Sequence, residues 1–109
     1  MITIKDFSRL DIRLGTIVAV DAFPEAKKPA YKLKIDLGPM GVSSSSARIT
    51  NHYRPEDLLR RQVVCAVNLG PKRIGGFVSE VLVLGIPDEN GAVLLLQPDR
   101  PLSNGARIS

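Results

Sequence analysis

The residues best equipped for chemistry lie in one stretch, Asn68-Leu69-Gly70-Pro71-Lys72-Arg73-Ile74-Gly75-Gly76-Phe77-Val78-Ser79. Two adjacent cations, Lys72 and Arg73, stand between Gly70-Pro71 and Gly75-Gly76, with the amide of Asn68 and the hydroxyl of Ser79 at the margins. Ammonium and guanidinium groups hold anions, phosphate above all. A second basic pair, Lys27-Lys28, lies in the proline-flanked segment Phe23-Pro24-Glu25-Ala26-Lys27-Lys28-Pro29-Ala30. The competing reading of Lys72 and Arg73 is an ordinary solvated hairpin loop.

Other chemistries lack their parts. His52 is the only histidine, with no CxxC and no acidic cluster at ligand spacing, so neither a metal site nor a cofactor is expected. Cys65 has no placed histidine base, and the run Ser43-Ser44-Ser45-Ser46 has no GxSxG elbow. No phosphate-cradling glycine motif is present. The chain reads as a binding module, not an enzyme.

The basic stretch needs a scaffold. Val63 to Val67 and Val81 to Leu84 are short apolar runs rich in β-formers, read as core strands that present Lys72 and Arg73 at a loop tip. Tyr31 to Leu37 alternates cleanly, with Tyr31, Leu33, Ile35 and Leu37 on one face and Lys32, Lys34 and Asp36 on the other. Asp11 to Val20 reads as a first strand, with Gly15 marking a bulge or tight bend. Val42 to Thr50 reads as a polar strand and Ala92 to Leu96 as the return from an Asn90-Gly91 turn. A last strand is possible at Arg107-Ile108. Thr3 can cap a helical turn over Ile4 to Leu10, and Pro55 opens a short helix that ends at Arg60-Arg61. Closely spaced strands without a βαβ rhythm describe an all-β protein, a small five-stranded β-barrel. A short helix between strands 3 and 4 and a short N-terminal helix complete the expected OB-fold layout.

The 109 residues suit a single domain spanning 1–109. Apolar content of 44% and charged content of 24% are ordinary for a globular protein. The net charge of +4 and pI of about 9.6 permit an anionic partner without demanding one. A lone cysteine rules out an intrachain disulfide and fits a reducing, cytoplasmic setting. No apolar run approaches the ~20 residues of a membrane span, so no membrane insertion is expected.

Several strings in register resemble the tRNA-binding OB-fold domain that is appended to bacterial methionyl-tRNA synthetase and also occurs free-standing. They are Asn68-Leu69-x-Pro71 with Arg73, Ile74, Gly76 and Ser79; Gly15-Thr16-Ile17 leading to Phe23-Pro24; Ile35-Asp36-x-Gly38; and Leu95-Leu96-x-Pro98-Asp99 leading to Asn104-Gly105. The free-standing CsaA-like branch is similar over Phe23 to Ala26, Pro29 to Leu33, Ile35-Asp36 and Ser79 to Gly85. This resemblance implies a homodimeric chaperone for unfolded or export-competent preproteins that carries a tRNA-binding fold. Gly70 and Gly75 stand where the wider family has a lysine and an arginine, and Phe23-Pro24 where it has His-Pro. These departures favour apolar, peptide-like partners over phosphate.

Three sets of site residues follow. Lys27, Lys28, Asn68, Lys72, Arg73 and Ser79 are the candidates for RNA, with tRNA or another structured RNA as ligand. Phe23, Pro29, Tyr31, Ile74 and Phe77 are the candidates for an unfolded polypeptide, each with core packing as the alternative. Ile4, Phe7, Leu10, Pro101, Leu102 and Ile108 are expected to form a C₂ dimer interface, the alternative being that they plug their own barrel.

Overall fold

The computed structural model describes residues 1–109. Helix α1 (Ile4–Ser8) opens the chain, and its start is fixed by a capping box. Asp6 N–H donates to Thr3 Oγ1 at 3.2 Å, and Thr3 N–H donates to the Asp6 carboxylate at 2.9 Å. Strand β1 (Ile12–Ala22) then runs through both halves of the barrel. Its first half pairs with β4 (Gln62–Ala66) and its second with β2 (Tyr31–Asp36), both antiparallel.

The register shifts between Ile17 and Ala19, so the bulge is at Val18 and not at Gly15. Gly15 is regularly paired with Val63. Its role is close approach: a Cβ there would lie 2.5 Å from Ile35 Cγ2 and 2.8 Å from Leu37 Cδ2. Only a residue without a side chain lets β1 cross this tightly over the core.

β2 pairs in turn with β3 (Val42–Ala47), and β4 pairs with the two-residue β7 (Leu82–Val83). The main sheet has five strands in the order β3-β2-β1-β4-β7. Its edges come back together around the serine run. Glu80 and Val81 N–H both donate to the Ser44 carbonyl, at 2.8 and 3.3 Å. The buried Ser45 hydroxyl donates to the Val81 carbonyl at 2.8 Å. Small hydroxylated residues suit this seam because they let the second backbone close in and satisfy its polar groups. The result is an all-β, nearly closed barrel. Helix α2 (Pro55–Leu58), with proline in its first turn, lies in the chain between β3 and β4 and sends Leu58 into the core.

Two ribbons leave this sheet. β5 (Lys72–Ile74) pairs with β6 (Phe77–Ser79), and β8 (Gly85–Pro87) with β9 (Val93–Leu95). The strand expected over Val81 to Leu84 is therefore shortened to β7, Leu82–Val83, and β8 begins only at Gly85. Leu84 N–H still bonds the Val64 carbonyl at 2.8 Å before the chain departs into the second ribbon.

The main core gathers Ile17, Leu33, Ile35, Leu37, Ile49, Leu58, Val63, Cys65 and Val81. A second cluster of Ile12, Leu14 and Val64 is covered by Phe7, Leu10 and Leu84. The tail laces along β1 through Gly105 N–H to Leu14 O (2.7 Å) and Ile108 N–H to Ile12 O (2.9 Å). The possible strand at Arg107-Ile108 is a single bridge from Arg107 to Arg13. No helix is long and apolar enough to cross a membrane.

Candidate ligand-binding face

Lys72 and Arg73 do not sit at a loop tip. They belong to β5, and the tip is Gly75-Gly76, with φ of 51° and 82°. Two consecutive left-handed residues are what a two-residue type I′ hairpin turn requires, and glycine supplies them without steric cost. The register pairs Lys72 with Ser79, Arg73 with Val78 and Ile74 with Phe77. Strand alternation therefore puts Lys72, Ile74, Phe77 and Ser79 on one face of the ribbon, and Arg73 with Val78 on the other.

The ribbon is locked to the loop between β1 and β2. Phe23 is buried and meets Phe77 edge to face, with centroids 5.4 Å apart. Lys32 Nζ lies 4.9 Å from the Phe23 centroid and 5.6 Å from that of Phe77, a cation over two aromatic faces. The same ammonium is 3.4 Å from the Glu25 carboxylate. Glu25 in turn lies against the hairpin turn: a Cβ on Gly75 would be 3.3 Å from Glu25 Cβ. These contacts bring the Lys27-Lys28 loop and the Lys72–Ser79 ribbon, far apart in sequence, to one place.

Between them runs the outer face of β2 and β3, where Lys32 pairs with Ser46 and Lys34 with Ser44. Lys27, Lys28, Lys34, Lys72 and Arg73 are exposed and form no ion pair with a carboxylate. Lys32 and Lys34 were absent from the candidate set, although the clean alternation of Tyr31 to Leu37 already put both on the outer face. A groove of about 290 Å³ opens nearby, lined in part by Leu37, Met40, Val67, Pro71 and Val81, with Glu80 at its edge.

Four of the expected contact residues, Asn68, Ser79, Phe23 and Tyr31, have partners or packing within the chain. Asn68 Oδ1 accepts from Asp11 N–H at 2.8 Å and its Nδ2 donates to the Arg9 carbonyl at 2.8 Å, so the amide clamps the end of α1 to the end of β4. Ser79 Oγ accepts from Ser46 N–H at 3.0 Å and docks the ribbon on β3. Phe23, 4% exposed, floors Phe77 and lines no open surface. Tyr31 is half-buried and its hydroxyl donates to the Tyr53 carbonyl at 2.8 Å. Pro29 is exposed, and Ile74 and Phe77 are half-buried.

Of the residues expected at a dimer interface, Phe7 and Leu10 pack against the chain's own second cluster. Ile4, Pro101, Leu102 and Ile108 remain exposed. Cys65 is fully buried, and burial pushes its thiol up to about 12. His52 Nε2 lies 2.7 Å from the Asp88 carboxylate, tying the segment before α2 to the β8–β9 turn.

The family model described as "Putative tRNA binding domain" matches residues 12–107. The solved chaperone CsaA of Bacillus anthracis is 51% identical, with a TM-score of 0.95 over 100% of this chain and 99% of that one. The CsaA chaperone protein of Picrophilus torridus is 49% identical, with a TM-score of 0.93 over the whole of both chains. Methionine–tRNA ligase of Pyrococcus furiosus is 37% identical over 107 residues, 98% of this chain. The chain spans only 14% of that ligase's length.

Proposed function

This chain belongs to the tRNA-binding-domain family, and from that membership we propose that it is a CsaA-like, non-catalytic binding protein on an OB-fold barrel, acting as a homodimeric chaperone for unfolded or export-competent preproteins in the cytoplasm. The observation that carries this reading is the likeness to two CsaA chaperones over essentially the whole of both chains, where the ligases match only in part. The surface supports it. Half-buried Ile74 and Phe77 stand among cations, and an apolar groove passes beside Pro71. An apolar floor with a cationic rim suits an extended polypeptide of mixed apolar and acidic character. Exposed Ile4, Leu102 and Ile108 give a second copy something to bury.

A second reading, binding of tRNA or another structured RNA, draws on the five unpaired cations of the face. Phe77, half-buried against Phe23 and beside Lys32, is the one aromatic ring of this face left partly open, and so few stacking platforms favour folded over single-stranded RNA. Competition between labelled tRNA and an unfolded apolar peptide, at low and physiological salt, separates the two. Peptide binding with little salt dependence, weakened more by Phe77→Ala than by Arg73→Ala, is the expected result. Tight tRNA binding at physiological salt with no peptide binding would refute the chaperone reading.

A further inference from the structure

The strongest unexplained feature lies away from this face, at the turn that joins α2 to β4. Leu58-Leu59-Arg60-Arg61 forms a β-turn closed by Arg61 N–H to Leu58 O at 2.9 Å. Leu59 has φ −60° and ψ 126°, and Arg60 has φ +72°, the geometry of a type II turn. That turn asks for glycine or asparagine at the position Arg60 occupies. Arg60 is the only non-glycine residue in the chain with positive φ. Arg60 N–H to Ile17 O (2.7 Å) and Ile17 N–H to Arg61 O (2.9 Å) hold it there against the bulged part of β1. An arginine carried at such a position has its side chain, not its backbone, as the reason for being there.

That side chain borders a cleft of about 600 Å³ between this turn and the tail, lined by Arg60, Arg61, Gln62, Gln97, Asp99 and Arg100 among others. Arg60 forms no ion pair. Arg61 is oriented entirely by uncharged groups. Its Nε donates to the Asp57 carbonyl at 3.2 Å, its Nη1 to Gln97 Oε1 at 3.0 Å, and its guanidinium lies 5.1 Å from the Tyr53 centroid. Its charge is fixed in place and left uncompensated. The cleft's two carboxylates are already engaged, Asp99 with Arg100 on the cleft's own rim at 2.9 Å and Asp57 with the Arg54 N–H at 3.0 Å. Gln62 braces the opposite wall, donating to the Leu102 carbonyl at 2.7 Å and accepting from its N–H at 3.1 Å.

We propose that this cleft is a second anion site, built to take the phosphate group of a nucleotide or of an RNA backbone. Two guanidiniums without counterions on one cleft suit a phosphate group, whose oxygens accept from such donors. The volume is that of a small-molecule site, larger than a lone phosphate needs. No aromatic ring lines the cleft, so recognition rests on the phosphate and not on stacking of the base. The site shares no residue with the β2–β3 face, though Pro101 on its edge also belongs to the expected dimer surface.

The test is titration of the whole protein with AMP, with adenosine as the phosphate-free control, followed by backbone amide shifts. AMP is expected to move the amides of Arg60, Arg61, Gln97 and Arg100, and adenosine to leave them still. Arg60→Gly removes the guanidinium while giving the turn its preferred residue, so the variant folds at least as stably as the parent. It is expected to bind AMP roughly tenfold to a hundredfold more weakly, the worth of a charge-assisted hydrogen bond. The double variant Lys72→Ala/Arg73→Ala is expected to bind AMP unchanged, which separates this site from the β2–β3 face. A tRNA that competes with AMP for these amides assigns the phosphate to RNA, and AMP shifts indifferent to tRNA assign it to a free nucleotide. Equal shifts with adenosine, or AMP affinity unaltered in Arg60→Gly, would overturn the proposal.

Discussion

The double substitution Lys72→Ala/Arg73→Ala tests whether the ribbon touches phosphate at all. Five cations of the face, Lys27, Lys28, Lys34, Lys72 and Arg73, have no carboxylate partner, whereas Lys32 is held by Glu25 at 3.4 Å. If each free cation displaces counterions from a helical RNA, log affinity falls against log salt with a slope of about 0.9 per contact, about 4.5 for the face. A fourfold rise in salt then weakens binding about 500-fold. Removing Lys72 and Arg73 takes the slope to about 2.7, so the same rise costs only about 40-fold. Fluorescence anisotropy of labelled tRNA, read across a salt series for both proteins, gives the slopes directly. The two residues point to opposite faces of the ribbon, so each single variant separates one face from the other. A parent slope near zero would remove phosphate binding from this face. A slope of normal size that the double variant leaves unaltered would move the contact away from the ribbon.

Gly15→Ala is expected to destabilise the fold by about 1–3 kcal/mol in urea unfolding, because its methyl would meet the buried Ile35 and Leu37 side chains and the Asp36 carbonyl, with no open space to retreat into. A neutral result would show that β1 can move off the core. Cys65, with its thiol pushed up to about 12, is expected to resist an aromatic disulfide reagent in the native state and to react stoichiometrically once unfolded. Native-state reaction faster than global unfolding would contradict that burial. The hydrogen bond from Arg13, helped by the charges of Arg13 and Arg107, holds the Asp11 carboxyl below its ordinary range against the opposing effect of desolvation. A depressed folded-state value means the unfolded chain takes up the proton first. The stabilisation is fully present above the ordinary carboxylate pKa and is lost as pH falls below that value and through the lowered folded one. Asp11→Asn is therefore expected to lose stability near neutral pH and to approach the parent as the pH is lowered into the acid range, and a gap that does not change with pH would sink the assignment.

What the sequence disclosed depended on whether a residue's partner is near it in the chain. The Thr3 cap, the alternation of Tyr31 to Leu37 and the proline at the start of α2 are local, and the fold keeps all three, with α1 ending at Ser8 and not at Leu10. Asn68 and Ser79 looked like ligand contacts because their types are right and their neighbours are basic. Their actual partners, Arg9 and Ser46, lie 59 and 33 residues away, and no spacing rule reaches that far. Gly15 misled in the same way: a gap left for Ile35 and a bend look alike when only β1 is in view. The Gly75-Gly76 pair was readable as a two-residue hairpin turn, yet strands of three residues each carry too little alternation to announce themselves.

The aromatic pair shows most clearly how position divides two residues of one type. Phe23 and Phe77 have equal claims from the sequence to be core or ligand contact. Folding makes one the floor and the other the lip, because β1 ends where the β5–β6 ribbon folds back over it. Lys32 then sits above both rings while paired to Glu25, so an anion approaching Phe77 must first compete with a carboxylate that the protein itself supplies. An apolar segment reaching the same lip displaces no ion pair. On the proposed chaperone reading, that difference favours peptide over RNA at physiological salt, and a peptide affinity that falls with salt as steeply as RNA affinity would refute it.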